Sequence, residues 1–187
     1  MHMAAHTKAW TLDELHRLPD DGNKYELVRG ELFVTPAPSV RHEHILARLH
    51  AALVPYVARH ALGMVYRPRA VLRFEESEVE PDLMVRPLGS PRSDDDDWAT
   101  LPTPILVVEV LSGTTRRRDL VQKRALYLDA GVPEYWVIDP EAQQVRVVRQ
   151  ERVADDTIAS EAVEWRPAGA SDAFIIRVAS LFGTDLM

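Results

Sequence analysis

The chain has 187 residues, 46% of them hydrophobic and 27% charged, with a formal net charge of −7 and no cysteine. That length suits one domain with a real core, and the composition is that of an ordinary soluble protein. The missing thiols exclude disulfides, cysteine nucleophiles and thiolate zinc sites, and the acidic balance argues against tight non-specific DNA binding. An N-terminus without an apolar signal core and the lack of any bilayer-length run predict a cytoplasmic protein that does not touch membranes.

Thr11-Leu12-Asp13-Glu14-Leu15 reads as a short helix, capped by Thr11 with Glu14 three residues on. Tyr25–Val28 and Glu31–Val34 flank Arg29-Gly30, the pattern of a β-hairpin, and Pro36 and Pro38 end the second strand. From Arg41 to His60 the apolar positions follow helical spacing, with Ser39 as cap, Pro55 as an expected kink or early stop, and Gly63 as exit. Met64–Phe74 and Val79–Val85 are predicted strands joined by an acidic turn. Residues 87–103, rich in proline and carrying Asp94 to Asp97, are predicted to be a surface loop.

Ile105–Leu111 reads as a central strand, apolar on both faces apart from Glu109. Thr114 or Thr115 is a candidate cap for a helix over Arg116–Ala130, which Gly131 and Pro133 stop. Glu134–Ile138, Val145–Val148, Glu161–Trp165 and Phe174–Val178 complete the β structure. This order predicts an α/β fold in which helices flank a mixed sheet.

The chemistry concentrates on Asp82, Glu109 and Lys123. A carboxylate inside an apolar strand is costly to bury unless a cation or metal compensates it. Two acids on neighbouring strands suit a hard divalent ion, and a nearby lysine can steady a phosphate's charge or a nucleophilic water. The residues alone leave other readings open. Glu109 could instead pair with an arginine such as Arg69 or Arg73, and Asp82 could simply be a strand-entry residue. Periodicity does not separate Lys123 from Arg124, which lies nearer the stripe of Val121, Ala125 and Leu128. Glu26 and Glu31 read as exposed strand charges, and His42, on the apolar face of the long helix, as a core histidine. The arginines at 116 to 118 read as a solvated face or as phosphate contacts. No phosphate loop, dinucleotide fingerprint or nucleophile elbow occurs.

The segments Tyr25–Leu32, Glu80-Pro81-Asp82-Leu83, Val107–Ser112, Thr115–Asp119, Lys123–Tyr127 and Ala130–Asp139 together resemble the Uma2 family, bacterial proteins akin to restriction endonucleases. The resemblance spans about residues 10–180 of a single domain, 1–187. It implies the PD-(D/E)XK nuclease fold, a mixed sheet between helices, and Mg²⁺- or Mn²⁺-dependent cleavage of DNA. Carried over by position, it implies that Asp82 and Glu109 bind the metal, that Lys123 is the catalytic lysine and that Glu26 is an auxiliary acid. Leu111 stands where the nuclease pattern places its lysine, two residues after the second acid, and the resemblance moves that role to Lys123 on the next helix. Arg29 and Gly113 depart from the family's usual aspartate and proline. A homodimer suits such an enzyme, since double-strand cleavage needs two sites. The competing expectation is a catalytically weak or inactive module that keeps the scaffold for protein or nucleic-acid interaction.

Overall fold

The computed structural model describes residues 9–88, 97–113, 115–152 and 156–183. The expectations placed on Asp94 to Asp96 and on Thr114 lie outside these residues. Helix α1 (Leu12–Leu15) has the expected reciprocal cap, Thr11 accepting from the Glu14 amide while Glu14 reaches back to the Thr11 amide. Strands β1 (Lys24–Val28) and β2 (Glu31–Thr35) form the hairpin, turning through Arg29 and Gly30 at positive φ. Arg29 bears that conformation despite its side chain, which reaches across to Asp129.

Helix α2 (Val40–Arg59) starts at the Ser39 cap and runs through Pro55 without ending. The expected early stop therefore does not occur. Pro55 lies on the exposed side, while Leu53, Tyr56 and Val57 on the opposite side hold the last turns against the core. Two predicted strands each split in two. Met64–Phe74 becomes β3 (Met64–Tyr66) and β4 (Leu72–Phe74), and Val79–Val85 becomes β5 (Ser77–Val79) and β6 (Leu83–Arg86). At both breaks, around Pro68 and Pro81, the chain leaves one sheet and enters another. Proline offers no amide to a ladder, so it suits such crossings.

The larger sheet has six strands in the order β10-β9-β8-β7-β6-β3, where β7 is Leu106–Val110, β8 Glu134–Asp139, β9 Gln144–Arg149 and β10 Thr157–Ala159. Within it only β7 and β8 run parallel, which makes the sheet mixed as expected. A four-stranded sheet, β2-β1-β5-β4, and the hairpin of β11 (Ala162–Trp165) and β12 (Phe174–Arg177) complete the β structure. The large sheet buries both faces. Leu83, Val85, Val108 and Trp136 pack with α2, β11, β12 and α4 (Val178–Phe182). Met84, Val107, Tyr135 and Val137 pack with the small sheet and with α3 (Arg124–Asp129). Alternation along each strand assigns the residues to one core or the other.

The predicted helix over 116–130 exists, but its middle, Arg118–Lys123, is a π-helical turn. A π turn inserts an extra residue and rotates everything after it, and such turns often mark functional sites. Val121, placed by α-helical spacing on the buried stripe, is consequently 58% exposed, whereas Lys123 is fully buried. Among the described residues no helix is long and apolar enough to cross a membrane.

Gly63, between α2 and β3, sits at φ +128°, and a Cβ there would stand 2.1 Å from the Arg86 carbonyl oxygen in β6. Backbone cannot retreat as a flexible side chain can. Gly63→Ala should therefore destabilise the protein by about 2 kcal/mol or more, measured by urea unfolding. An unchanged midpoint would refute this account of the α2–β3 junction.

Candidate active site: a buried ion cluster at the end of a cleft

Strands β6 and β7 pair antiparallel with Leu83 opposite Val108 and Met84 opposite Val107. Continued one step, this register sets Asp82 opposite Glu109, and opposite residues of an antiparallel pair point to the same face. That face is the one carrying Met84 and Val107, so both acids lie on the side of the small sheet and α3. Asp82 stands just before β6, at the point where the chain crosses between sheets. Its Oδ2 accepts from the Val110 amide at 2.8 Å and from His42 Nε2 at 3.0 Å, while Oδ1 lies 3.4 Å from Lys24 Nζ.

Glu109 is buried, and its Oε1 accepts from Lys123 Nζ and from the Tyr127 hydroxyl, both at 2.7 Å. Neither Arg69 nor Arg73 is its partner: Arg69 faces Asp20 and Arg73 faces Glu78. Lys123 is shared, because its Nζ also stands 2.7 Å from Glu26 Oε1. Glu26 is thus fully buried rather than the exposed strand charge its surroundings in sequence suggest. Its Oε1 also accepts from the Glu80 amide at 2.9 Å, whereas Oε2 is buried without a hydrogen bond, 3.4 Å from Arg118 Nη1. Arg124, the alternative to Lys123, points elsewhere and pairs with Asp156 at 2.9 Å. The π turn is what decides between the two, by aiming Lys123 inward.

Charge states follow from this packing. Burial pushes the Glu109 carboxyl up to about 7, opposed by Lys123 and reinforced by the neighbouring Asp82. For Asp82, burial acts in the same direction, but Lys24 and then His42 outweigh it and hold the acid well below the usual aspartate range. Burial works against the charge of Lys123 and Lys24, yet the surrounding carboxylates dominate and keep both protonated. The same balance raises His42, through its hydrogen bond to Asp82.

A cleft of about 730 Å³ opens over this cluster, and Asp82, Glu109, Lys24, His42 and Arg118 border it. Lys123 and Glu26 lie behind Glu109 and do not reach the cleft wall. Of the four residues singled out from sequence, Asp82 and Glu109 therefore face the cleft, while Lys123 and Glu26 back them. His42, read from sequence as a core histidine, instead borders the cleft against Asp82. Nothing in the sequence singles out Lys24 or Tyr127, and Arg118 enters there only within the arginine run. Arg116 pairs with Asp139 at 2.8 Å on the cleft rim, and Arg118 is buried over the Phe33 ring, so the arginine run is only partly a solvated face.

The donor set suits a small, hard divalent ion. Among the described residues no three His, Asp or Glu side chains form a ready-made metal cage. Mg²⁺, however, keeps several waters and binds through one or two carboxylates. Asp82 and Glu109 on the cleft wall meet that requirement, with the orphaned Glu26 Oε2 close behind.

Two measurements test this cluster. Because the folded-state pKa of Glu109 lies above its ordinary 4.5, at about 7, the native state binds the extra proton across that window. Stability relative to Glu109→Gln should accordingly fall as pH rises from about 5 to about 8, by at most ~3 kcal/mol, in urea unfolding with chelator present. A flat difference would show that Glu109 does not titrate in that range. Lys123→Met leaves Glu26 and Glu109 without their shared cation and should destabilise by roughly 3–5 kcal/mol at neutral pH. Adding Glu109→Gln to that background should recover part of the loss, and strict additivity would argue against direct coupling.

None of the curated proteins compared matches the chain. Among solved structures, it is similar to a "putative nuclease belonging to DUF820" from Anabaena variabilis. That likeness has a TM-score of 0.76 and 24% identity and covers 92% of this chain and 97% of that one, which speaks to the fold. The Uma2 profile, described as "Putative restriction endonuclease", matches residues 12–173. With that match spanning the hairpin, the acid pair, the lysine helix and the strand after it, the chain belongs to the Uma2 family.

Proposed function

We propose that this protein is a divalent-metal-dependent endonuclease that hydrolyses phosphodiester bonds of DNA. The observation that carries the reading is the presence of Asp82, one step ahead of the β6–β7 ladder, and of Glu109 in β7 on the wall of one open cleft, with a buried ammonium behind Glu109. Asp82 and Glu109 hold Mg²⁺ or Mn²⁺. The ion supplies Lewis-acid polarisation of the phosphate and activation of water. Lys123 keeps Glu109 aimed and its charge compensated, and Glu26 fixes Lys123 from the other side as the auxiliary acid.

The charges of the cleft support metal dependence. Its described lining carries seven carboxylates against six lysines and arginines and the His42 imidazole, which Asp82 raises against the effect of burial, so the two signs nearly cancel. Such a wall offers a polyanion little net attraction until a divalent cation joins it. Oligonucleotide binding itself, and not cleavage alone, should therefore strengthen when Mg²⁺ or the non-catalytic Ca²⁺ is added.

One observation favours the second reading, an inactive module. Lys24, His42 and Lys123 already compensate the acids without an added ion. Metal titration of the wild type separates the two. The endonuclease should gain roughly 5 °C or more in Tm at a hundredfold excess of Mg²⁺ or Mn²⁺ over Kd and should nick supercoiled DNA. Asp82→Asn and Glu109→Gln should each remove both effects. A wild type that shows neither effect across DNA and RNA substrates would favour the inactive module.

A further inference from the structure

Two lysines serve the acid cluster, and they are not equivalent. Lys123 Nζ is closed off from solvent, with Glu26 and Glu109 oxygens at 2.7 Å each and Asp119 at 4.0 Å, so its three donors face acids of the interior. An ammonium so enclosed cannot reach a phosphate in the cleft. Lys24 approaches the cluster from the opposite element, the first residue of β1, and it borders the cleft. Its Nζ makes one short hydrogen bond, to the Glu80 carbonyl at 3.0 Å, and two looser contacts, to Asp82 at 3.4 Å and Glu26 at 3.8 Å. Its side chain keeps 17% exposure, whereas that of Lys123 keeps none.

We infer that Lys24 is the lysine that meets the substrate, donating to a non-bridging phosphate oxygen beside Asp82, while Lys123 acts only from behind as a positioning residue for Glu109. The inference rests on the reading that nucleic acid enters this cleft, and it divides between two residues the roles that the family resemblance gives to Lys123 alone. An ammonium is a compact point charge on a flexible stem, well suited to swing from a loose contact with Asp82 onto an arriving phosphate. The competing role for Lys24 is that of a static counter-ion to Asp82 and Glu26. That role would contribute to stability but would bring no donor to a polyanion.

The salt dependence of binding tells these apart, because the slope of log K against log[salt] falls by about one for every phosphate that the protein no longer neutralises. Binding of a fluorescein-labelled duplex oligonucleotide would be followed by anisotropy in Ca²⁺ at several NaCl concentrations. Wild type, Lys24→Met, Lys24→Arg and, as a control on an exposed loop, Arg166→Gln would be compared. Lys24→Met should lose about one unit of slope and Lys24→Arg should retain it, while Arg166→Gln should match wild type. Independently of any variant, acylation of the Lys24 amine in wild type, read by peptide mass spectrometry, should slow several-fold with the duplex bound. If wild type binds the duplex while Lys24→Met keeps the full slope and Lys24 is acylated at the same rate, Lys24 is a counter-ion and this inference falls alone. A wild type that binds neither metal nor duplex overturns the endonuclease reading and this inference together.

Discussion

Two carboxylates, Glu26 and Glu109, share one fully buried ammonium, Lys123, at the base of the cleft. A buried acid without a partner would be expensive, and two side by side more so, hence both depend on that cation. The arrangement also ties together three elements distant in sequence: β1 through Glu26, β7 through Glu109, and the π turn ahead of α3 through Lys123. The small sheet is thereby fixed against the large one at the level where the cleft opens. Tyr127, one helical turn beyond Lys123, supplies the second donor to Glu109 and fills the apolar space beneath it.

The π turn over Arg118–Lys123 is the local device that makes this possible. In a regular α-helix, residues three and four apart share a face, whereas one turn of π geometry puts residues five apart in line. Arg118 and Lys123 stand five apart, and both are buried toward Glu26. The irregularity costs some helical hydrogen-bond quality. Its return is a pair of cations aimed into one acid cluster.

The chain crosses between sheets at Glu80-Pro81-Asp82, and this crossing determines which acid faces the cleft. Glu80 donates its amide to Glu26 and offers its carbonyl to Lys24, and Asp82 then stands one step ahead of the β6–β7 register, which, continued to it, sets it opposite Glu109. A crossing strand end has backbone groups left over from both sheets. Here they are used to hold the acid cluster in place, with the Val110 amide on Asp82 closing the set.

Much of this architecture was legible in the sequence because it rests on local rules. The Thr11 and Ser39 caps, the Arg29-Gly30 hairpin and the stop at Gly131 depend on residues within a few positions of one another, and each occurs where local chemistry placed it. The carboxylate at Glu109 announced itself by interrupting an apolar run. The order of elements and the motif spacing carried the mixed sheet and the family. Tertiary structure alone settled which cation answers Glu109, since partner choice across β1, β7 and the helix is a matter of distance in space. It also turned Lys123 inward: a π turn has no sequence signature, and α-helical periodicity read through it puts Val121 on the buried stripe in place of Lys123. Finally, it drew Glu26 into the core and left Lys24 at the cleft, two residues apart on one strand and therefore on the same face, with only the packing of the second sheet deciding which of them solvent can reach.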